Sequence, residues 1–135
     1  VSMLGGVCLA NSGLGMAHVI AAGLGALFDI AHGLACGILL PHALRHNRTA
    51  CETELSTALT AFLNQPRSSA NAIDEGIAVI RELNQHLGIP ADLKHLNLTE
   101  DDLKKLAAAS MGSSMSGNPV PMTEESVLEF LKTIA

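Results

Sequence analysis

Between Asn11 and Asn47 only Asp29 and Arg45 carry a formal charge, yet four of the six histidines of the chain, His18, His32, His42 and His46, fall in this stretch. So apolar a segment has to be buried. Burying an imidazole costs free energy unless a hydrogen bond or a metal takes up its nitrogens. The stretch is therefore expected to form the centre of the fold, with amphipathic helices around it.

His18 and His32 matter most. They are fourteen residues apart, and on one continuous helix that separation spans about 21 Å at ~1.5 Å per residue. Two imidazoles on one metal need their nitrogens within roughly 3–4 Å, given bonds of about 2.1 Å. If the two share an ion, the chain turns back between them, and Phe28-Asp29-Ile30-Ala31 is the place for that turn. His18 then lies on one helix and His32 opens the next. Spacing alone leaves the alternative open, two core histidines satisfied by backbone carbonyls. His42 and His46, four apart, offer a second pair, but Arg45 beside them repels a cation.

The remaining pattern is helical. Val1 to Ala10 reads as an apolar helix, broken by Asn11-Ser12-Gly13, where Asn or Ser can cap the next helix. A buried helix is expected over Leu14–Leu27 despite Gly15, Gly23 and Gly25. Such glycines serve either as a smooth wall against a cofactor ring or as close helix–helix contacts. Gly13-Leu14-Gly15 is not a dinucleotide fingerprint, because no strand precedes it and no third glycine comes after it at the right spacing. A helix from His32 to about Arg45 contains Pro41. Two amphipathic helices come next, the first with Leu55, Leu59, Phe62 and Leu63, closed by Asn64-Gln65-Pro66. The second starts at Ser68 or Ser69, with Ile73, Ile77, Ile80, Leu83 and Leu87 on one side, and stops at Gly88. Thr99 and Thr123 begin the last two helices, with acids in their first turns. Ser113 to Met122 is a loop. Alternating runs of β-branched residues are absent, so the fold class is all-α, a single domain of six or seven helices over residues 1–135.

Composition narrows the function. A net charge of −5 with no basic run argues against a nucleic-acid partner. Cys8, Cys36 and Cys51 form no C-x-x-C pair, which points to a reducing, cytoplasmic compartment. The uncharged run from Ser12 to Phe28 is shorter than the ~20 residues of a membrane span. With 48% hydrophobic and 16% charged residues, part of the surface is expected to be covered by a partner.

The string G-L-G-x-x-H-(x13)-H-G, with I-L-L-P-H-x-L-x-x-N after it, resembles the signature region of the iron-dependent (group III) alcohol dehydrogenases. Ser2 to Asn11 resembles the lead-in helix of that family, Leu87–Pro90 a family turn, and Asn118 to Thr123 its N-P-x-P-x-T near the end. The resemblance covers essentially the whole chain. It implies the helical C-terminal half of a longer enzyme, whose N-terminal half is a nucleotide-binding α/β domain. It also implies that His18 and His32 are two of four metal ligands, the other two, an aspartate and a histidine, lying upstream. Two positions depart from the family: Ala22 stands where a second histidine, proposed to relay protons, is common, and Ala31 where a proline usually precedes the H-G pair.

The activity implied by the resemblance is that of an NAD(P)-dependent alcohol dehydrogenase, which moves a hydride between a small alcohol or aldehyde and a nicotinamide. The metal that the resemblance implies is Fe(2+), with zinc or nickel also compatible with two imidazoles. Gly13 and Gly15 are candidates to face the nicotinamide cofactor, and a homo-oligomer without a membrane partner is expected. With half the ligands, the chain by itself is expected to bind metal at a dissociation constant of about 1–100 μM and to be inactive. The competing reading is a stand-alone helical interaction module that keeps the fold without the activity.

Overall fold

The computed structural model describes residues 2–64 and 71–135. Seven α-helices occupy them: α1 (Ser2–Ser12), α2 (Met16–Phe28), α3 (His32–Asn47), α4 (Glu52–Phe62), α5 (Ala72–His86), α6 (Glu100–Ala109) and α7 (Glu124–Lys132). Among the described residues there is no strand, and no helix is long and apolar enough to cross a membrane. The all-α expectation holds.

Helix α2 is the centre. Met16, Ile20, Ala21 and Leu24 are buried at three- to four-residue steps, and each large side chain so buried is worth about 1.5–3 kcal/mol. α2 packs on α3 and α6, and α6 packs on α7. Ala35, Ile38 and Leu39 of α3, Leu103 and Leu106 of α6, and Val127 and Leu131 of α7 complete this core. A smaller cluster of Leu59, Ile73 and Ile77 joins α4 to α5. The Leu93 backbone N–H donates to the Ile134 carbonyl at 2.7 Å, holding the loop after α5 against the end of α7.

Local signals predict the helix starts of the C-terminal half. The Thr99 hydroxyl accepts from the Asp102 N–H, and the Asp102 carboxylate accepts from the Thr99 N–H, a closed capping box. Thr123 and Ser126 do the same for α7. Such caps are worth about 1 kcal/mol. Gly88 stops α5 with φ +70°, a left-handed conformation that glycine adopts without steric cost.

Several expectations need correction. α2 begins at Met16, not Leu14, and its cap residue is Gly15, which offers no side chain. Neither Asn11 nor Ser12 caps it, since α1 runs on through both. The Met16 N–H instead donates to Asn118 Oδ1 at 3.1 Å, across 102 residues of sequence. A 3₁₀ turn at Arg48–Ala50 precedes α4. Phe62, Leu83 and Leu87, placed on apolar faces by periodicity, are at least half exposed or nearly so. Their helices bury only the turns that meet a neighbour. Val1, Gln65-Pro66 and the expected helix start at Ser68 or Ser69 lie outside the described residues.

Two glycines mark close helix contacts. A Cβ on Gly23 would stand 2.8 Å from Leu106 Cδ1, where α2 meets α6. One on Gly76 would stand 2.8 Å from Leu59 Cδ2 and 2.9 Å from Leu59 Cβ, where α5 meets α4. A Cβ atom cannot rotate away as a methyl can. Gly76→Ala is therefore expected to destabilise the chain by roughly 1–2 kcal/mol in urea unfolding, overpacking of about 1–3 kcal/mol outweighing a helix-propensity gain of up to ~1 kcal/mol. A neutral or stabilised variant would show that α4 and α5 yield freely.

Candidate metal centre

The return between α2 and α3 is made by three residues. Asp29 adopts left-handed backbone, φ 55° and ψ 33°, and its N–H donates to the Leu24 carbonyl, ending α2. A short polar side chain tolerates that conformation better than a bulky one. Gly25 lets the turn close, since a Cβ there would meet the Ile30 carbonyl oxygen at 3.3 Å. From His18 to Phe28 the helix rises about 15 Å. Residues 29–31, at ~3.3 Å each, together with two imidazole side chains cover the way back.

His18 and His32 meet as a result. His18 Nδ1 lies 3.2 Å from His32 Nε2, and the rings cross edge to face, 4.5 Å between centroids and 73° between planes. Two nitrogens bound tetrahedrally at ~2.1 Å would be about 3.4 Å apart. The pair thus fits a single divalent ion. His18 is half-buried, and burial first, then the neighbouring His32, holds its pKa below the ordinary histidine value. That favours the neutral ring, which is the form that binds a metal.

A third donor joins them. Cys36 Sγ lies 3.5 Å from His32 Nε2, and the ligand atoms of His18, His32 and Cys36 all fall within 4.8 Å of one another. Among the described residues this is the group of three or more potential ligands whose donor atoms converge. Cys36 is not among the residues expected at the site. The signal that points to it is its place four residues after His32, one helical turn along the same face.

The other histidines are elsewhere. His42 Nε2 is 2.8 Å from the Ala91 carbonyl oxygen, so a backbone carbonyl takes up that nitrogen. His46 packs edge-on against Phe130, and its Nε2 is buried without a hydrogen-bond partner. His86 and His95 are exposed. A cavity of about 910 Å³ near His42, Arg81 and Pro90 contains none of the three converging donors. A smaller cavity, of about 430 Å³, reaches one of them, His18, and is lined also by Gly13, Gly15, Asn47, Cys51 and Asn118. Gly15 has a reason within the chain as well, because a Cβ there would stand 2.9 Å from Asn118 Oδ1. Ala22 and Ala31 are both exposed.

A helical domain of this architecture has known counterparts. The model of the Fe-containing alcohol dehydrogenase family, C-terminal, matches residues 1–135, and the chain belongs to that family. It is 32% identical over 136 residues to the 1,3-propanediol dehydrogenase of Citrobacter freundii, covering 97% of this chain and 35% of that enzyme. Among solved structures it is similar to the alcohol dehydrogenase from Oenococcus oeni, with a TM-score of 0.84 and 26% identity over 98% of this chain and 36% of the other. It is also similar to a sulfoacetaldehyde reductase from Bifidobacterium kashiwanohense in complex with NAD+, with a TM-score of 0.77 and 25% identity over 90% of this chain and 31% of the other. The chain spans about a third of the length of these relatives.

Proposed function

We propose that this chain is the C-terminal, metal-binding part of a longer NAD(P)-dependent alcohol dehydrogenase, which transfers a hydride between a small alcohol or aldehyde and a nicotinamide. The observation that carries the reading is the 3.2 Å approach of His18 Nδ1 to His32 Nε2 across the α2–α3 turn, in a chain of the Fe-containing alcohol dehydrogenase family. His18 and His32 are the residues that would hold Fe(2+), or zinc or nickel in its place. The ion, when bound, supplies Lewis acidity that polarises an alcohol or carbonyl oxygen.

The chain's own residues account for orientation and enclosure. Burial of α2 from Met16 to Leu24 keeps the His18 backbone rigid, and the α3 helix does the same for His32. Gly13 and Gly15 line the cavity beside His18, where small residues leave room for a flat nicotinamide ring. The rest of the nucleotide, on this reading, is held by a preceding nucleotide-binding domain, which supplies the remaining ligands too. That a relative was solved with NAD+ and that the relatives are three times as long both support this. A methyl group at Ala22 cannot pass a proton, so proton transfer to solvent takes another route than a histidine at that position. The chain alone is proposed to lack dehydrogenase activity.

The test uses the complete product of the reading frame that carries this chain. Loaded anaerobically with Fe(2+), it is expected to reduce NAD+ or NADP+ with small primary alcohols and diols, monitored by nicotinamide absorbance, and to lose that activity on chelation. A complete product without metal-dependent nicotinamide reduction on any such alcohol would overturn the proposal.

A further inference from the structure

We propose that Cys36 is a third ligand of the ion held by His18 and His32, so that this chain presents a His–His–thiolate set. The inference rests on the metal reading of the two histidines above. Its first support is distance. In a tetrahedral site with nitrogen bonds of ~2.1 Å and a sulfur bond of ~2.3 Å, a nitrogen and a sulfur stand about 3.6 Å apart. Cys36 Sγ is 3.5 Å from His32 Nε2; all three donor atoms lie within 4.8 Å of one another, a span that a side-chain rotation shortens to about 3.6 Å when one ion bonds all three.

The second support is the group that the thiol faces. A cysteine in or beside a helix commonly donates to the carbonyl four residues back, as Cys51 Sγ does to the Asn47 carbonyl at 3.3 Å. The residue four before Cys36 is His32, and there Sγ faces the ring nitrogen instead. Cys36 is a free thiol at the edge of the core, where a small hydrophobe would fill space equally well. His32 and Cys36 also sit one turn apart on the same helix, so their relative placement is set by the backbone before any ion arrives.

Coordination converts the thiol to a thiolate and releases its proton to buffer; no oxidation is involved. The consequence is a site softer than two imidazoles alone, favouring zinc or cobalt over manganese or magnesium. It also predicts tighter binding. Two imidazoles correspond to a dissociation constant of about 1–100 μM, and a third donor tightens that roughly 100-fold.

The test is cobalt(II) binding by the metal-free chain under reducing, oxygen-free conditions, with zinc calorimetry in parallel. Cobalt is expected to bind one per chain, with visible ligand-field bands and a near-ultraviolet sulfur-to-cobalt charge-transfer band. Cys36→Ser and Cys36→Ala should lose the near-ultraviolet band and about 100-fold in zinc affinity, with the helical circular dichroism unchanged. Cys51→Ser should keep both. Cobalt bound with ligand-field bands but no sulfur band, or a sulfur band that survives Cys36→Ser, would overturn the role of Cys36 and leave His18 and His32 as ligands. Cobalt binding that is absent, or indifferent to His18→Ala, would overturn the metal reading and this inference with it.

Discussion

His18→Ala and His32→Ala, made in the complete product of the reading frame, should each strip the metal and lower the proposed dehydrogenase turnover by roughly 10³-fold or more. The magnitude comes from the several kcal/mol that a Lewis acid contributes to charge stabilisation, at about 1.36 kcal/mol per tenfold in rate. The two rings approach to 3.2 Å, so removing either leaves half of the imidazole pair. His42→Ala and His46→Ala are the controls. His42 is engaged by the Ala91 carbonyl, and its loss should cost about 0.5–1.5 kcal/mol of stability with the metal retained. His46 lies against Phe130, 5.6 Å between ring centroids, and belongs to no converging group of three or more potential ligands among the described residues. Metal content by elemental analysis, measured beside the turnover number, decides. Metal lost in the His42 or His46 variant while the His18 variant keeps it would place the centre at the wrong pair.

Asn118→Leu should be the most destabilising substitution in the loop between α6 and α7, at about 3–5 kcal/mol. Asn118 is buried, and its amide makes four hydrogen bonds. Oδ1 accepts from the Met16 N–H and from Asn47 Nδ2 at 3.0 Å. Nδ2 donates to Asn47 Oδ1 at 2.8 Å and to the Val120 carbonyl at 2.8 Å. Leucine fills similar space but leaves the Met16 N–H and part of the Asn47 amide unsatisfied in the interior, at about 1–3 kcal/mol for each such group. The sum is less than additive because Asn47 Oδ1 keeps the Val120 N–H at 3.3 Å. Thermal unfolding tracked by far-ultraviolet circular dichroism should show a melting temperature lower by roughly 10–20 °C. A shift corresponding to under ~1 kcal/mol would mean that water or a relaxed loop replaces the amide. The same variant should weaken metal binding, since Met16 begins the helix whose third residue is His18.

The helices with strong local signals are the ones legible from residue order. Thr99 and Asp102 form their capping box across three residues, Thr123 and Ser126 theirs, and Gly88 ends α5. These bonds close within one turn, so their partners lie inside any short window of sequence. The reversal at Asp29 is legible for a related reason. A charged residue ending an apolar helix, just before the second histidine, marks the one place where the chain can leave the core and return.

Cys36 is legible in the same local sense, standing one turn after His32. A thiol and an imidazole so spaced are ordinary on a helix, however, and become a candidate ligand pair only when His18 arrives from α2. Exposure of Leu83 and Leu87 illustrates the converse. Periodicity states which face of α5 is apolar but not how far along it a neighbour extends.

By itself, then, the order of residues determined the helical class and the helix ends capped by their own neighbours; it marked Phe28 to Ala31 as the place for a turn and, through the family resemblance, His18 and His32 as a pair, whose approach to 3.2 Å came from the structure. Only the tertiary structure decided that Asn118 caps α2 from 102 residues away, that Gly23 is small because Leu106 meets it, that His42 is held by Ala91, and that the Cys36 sulfur joins the two histidines. The division is physical. A hydrogen bond or a backbone conformation within one turn depends on residues a few places apart, whereas a buried polar partner or a third donor depends on which surfaces the packed helices bring face to face.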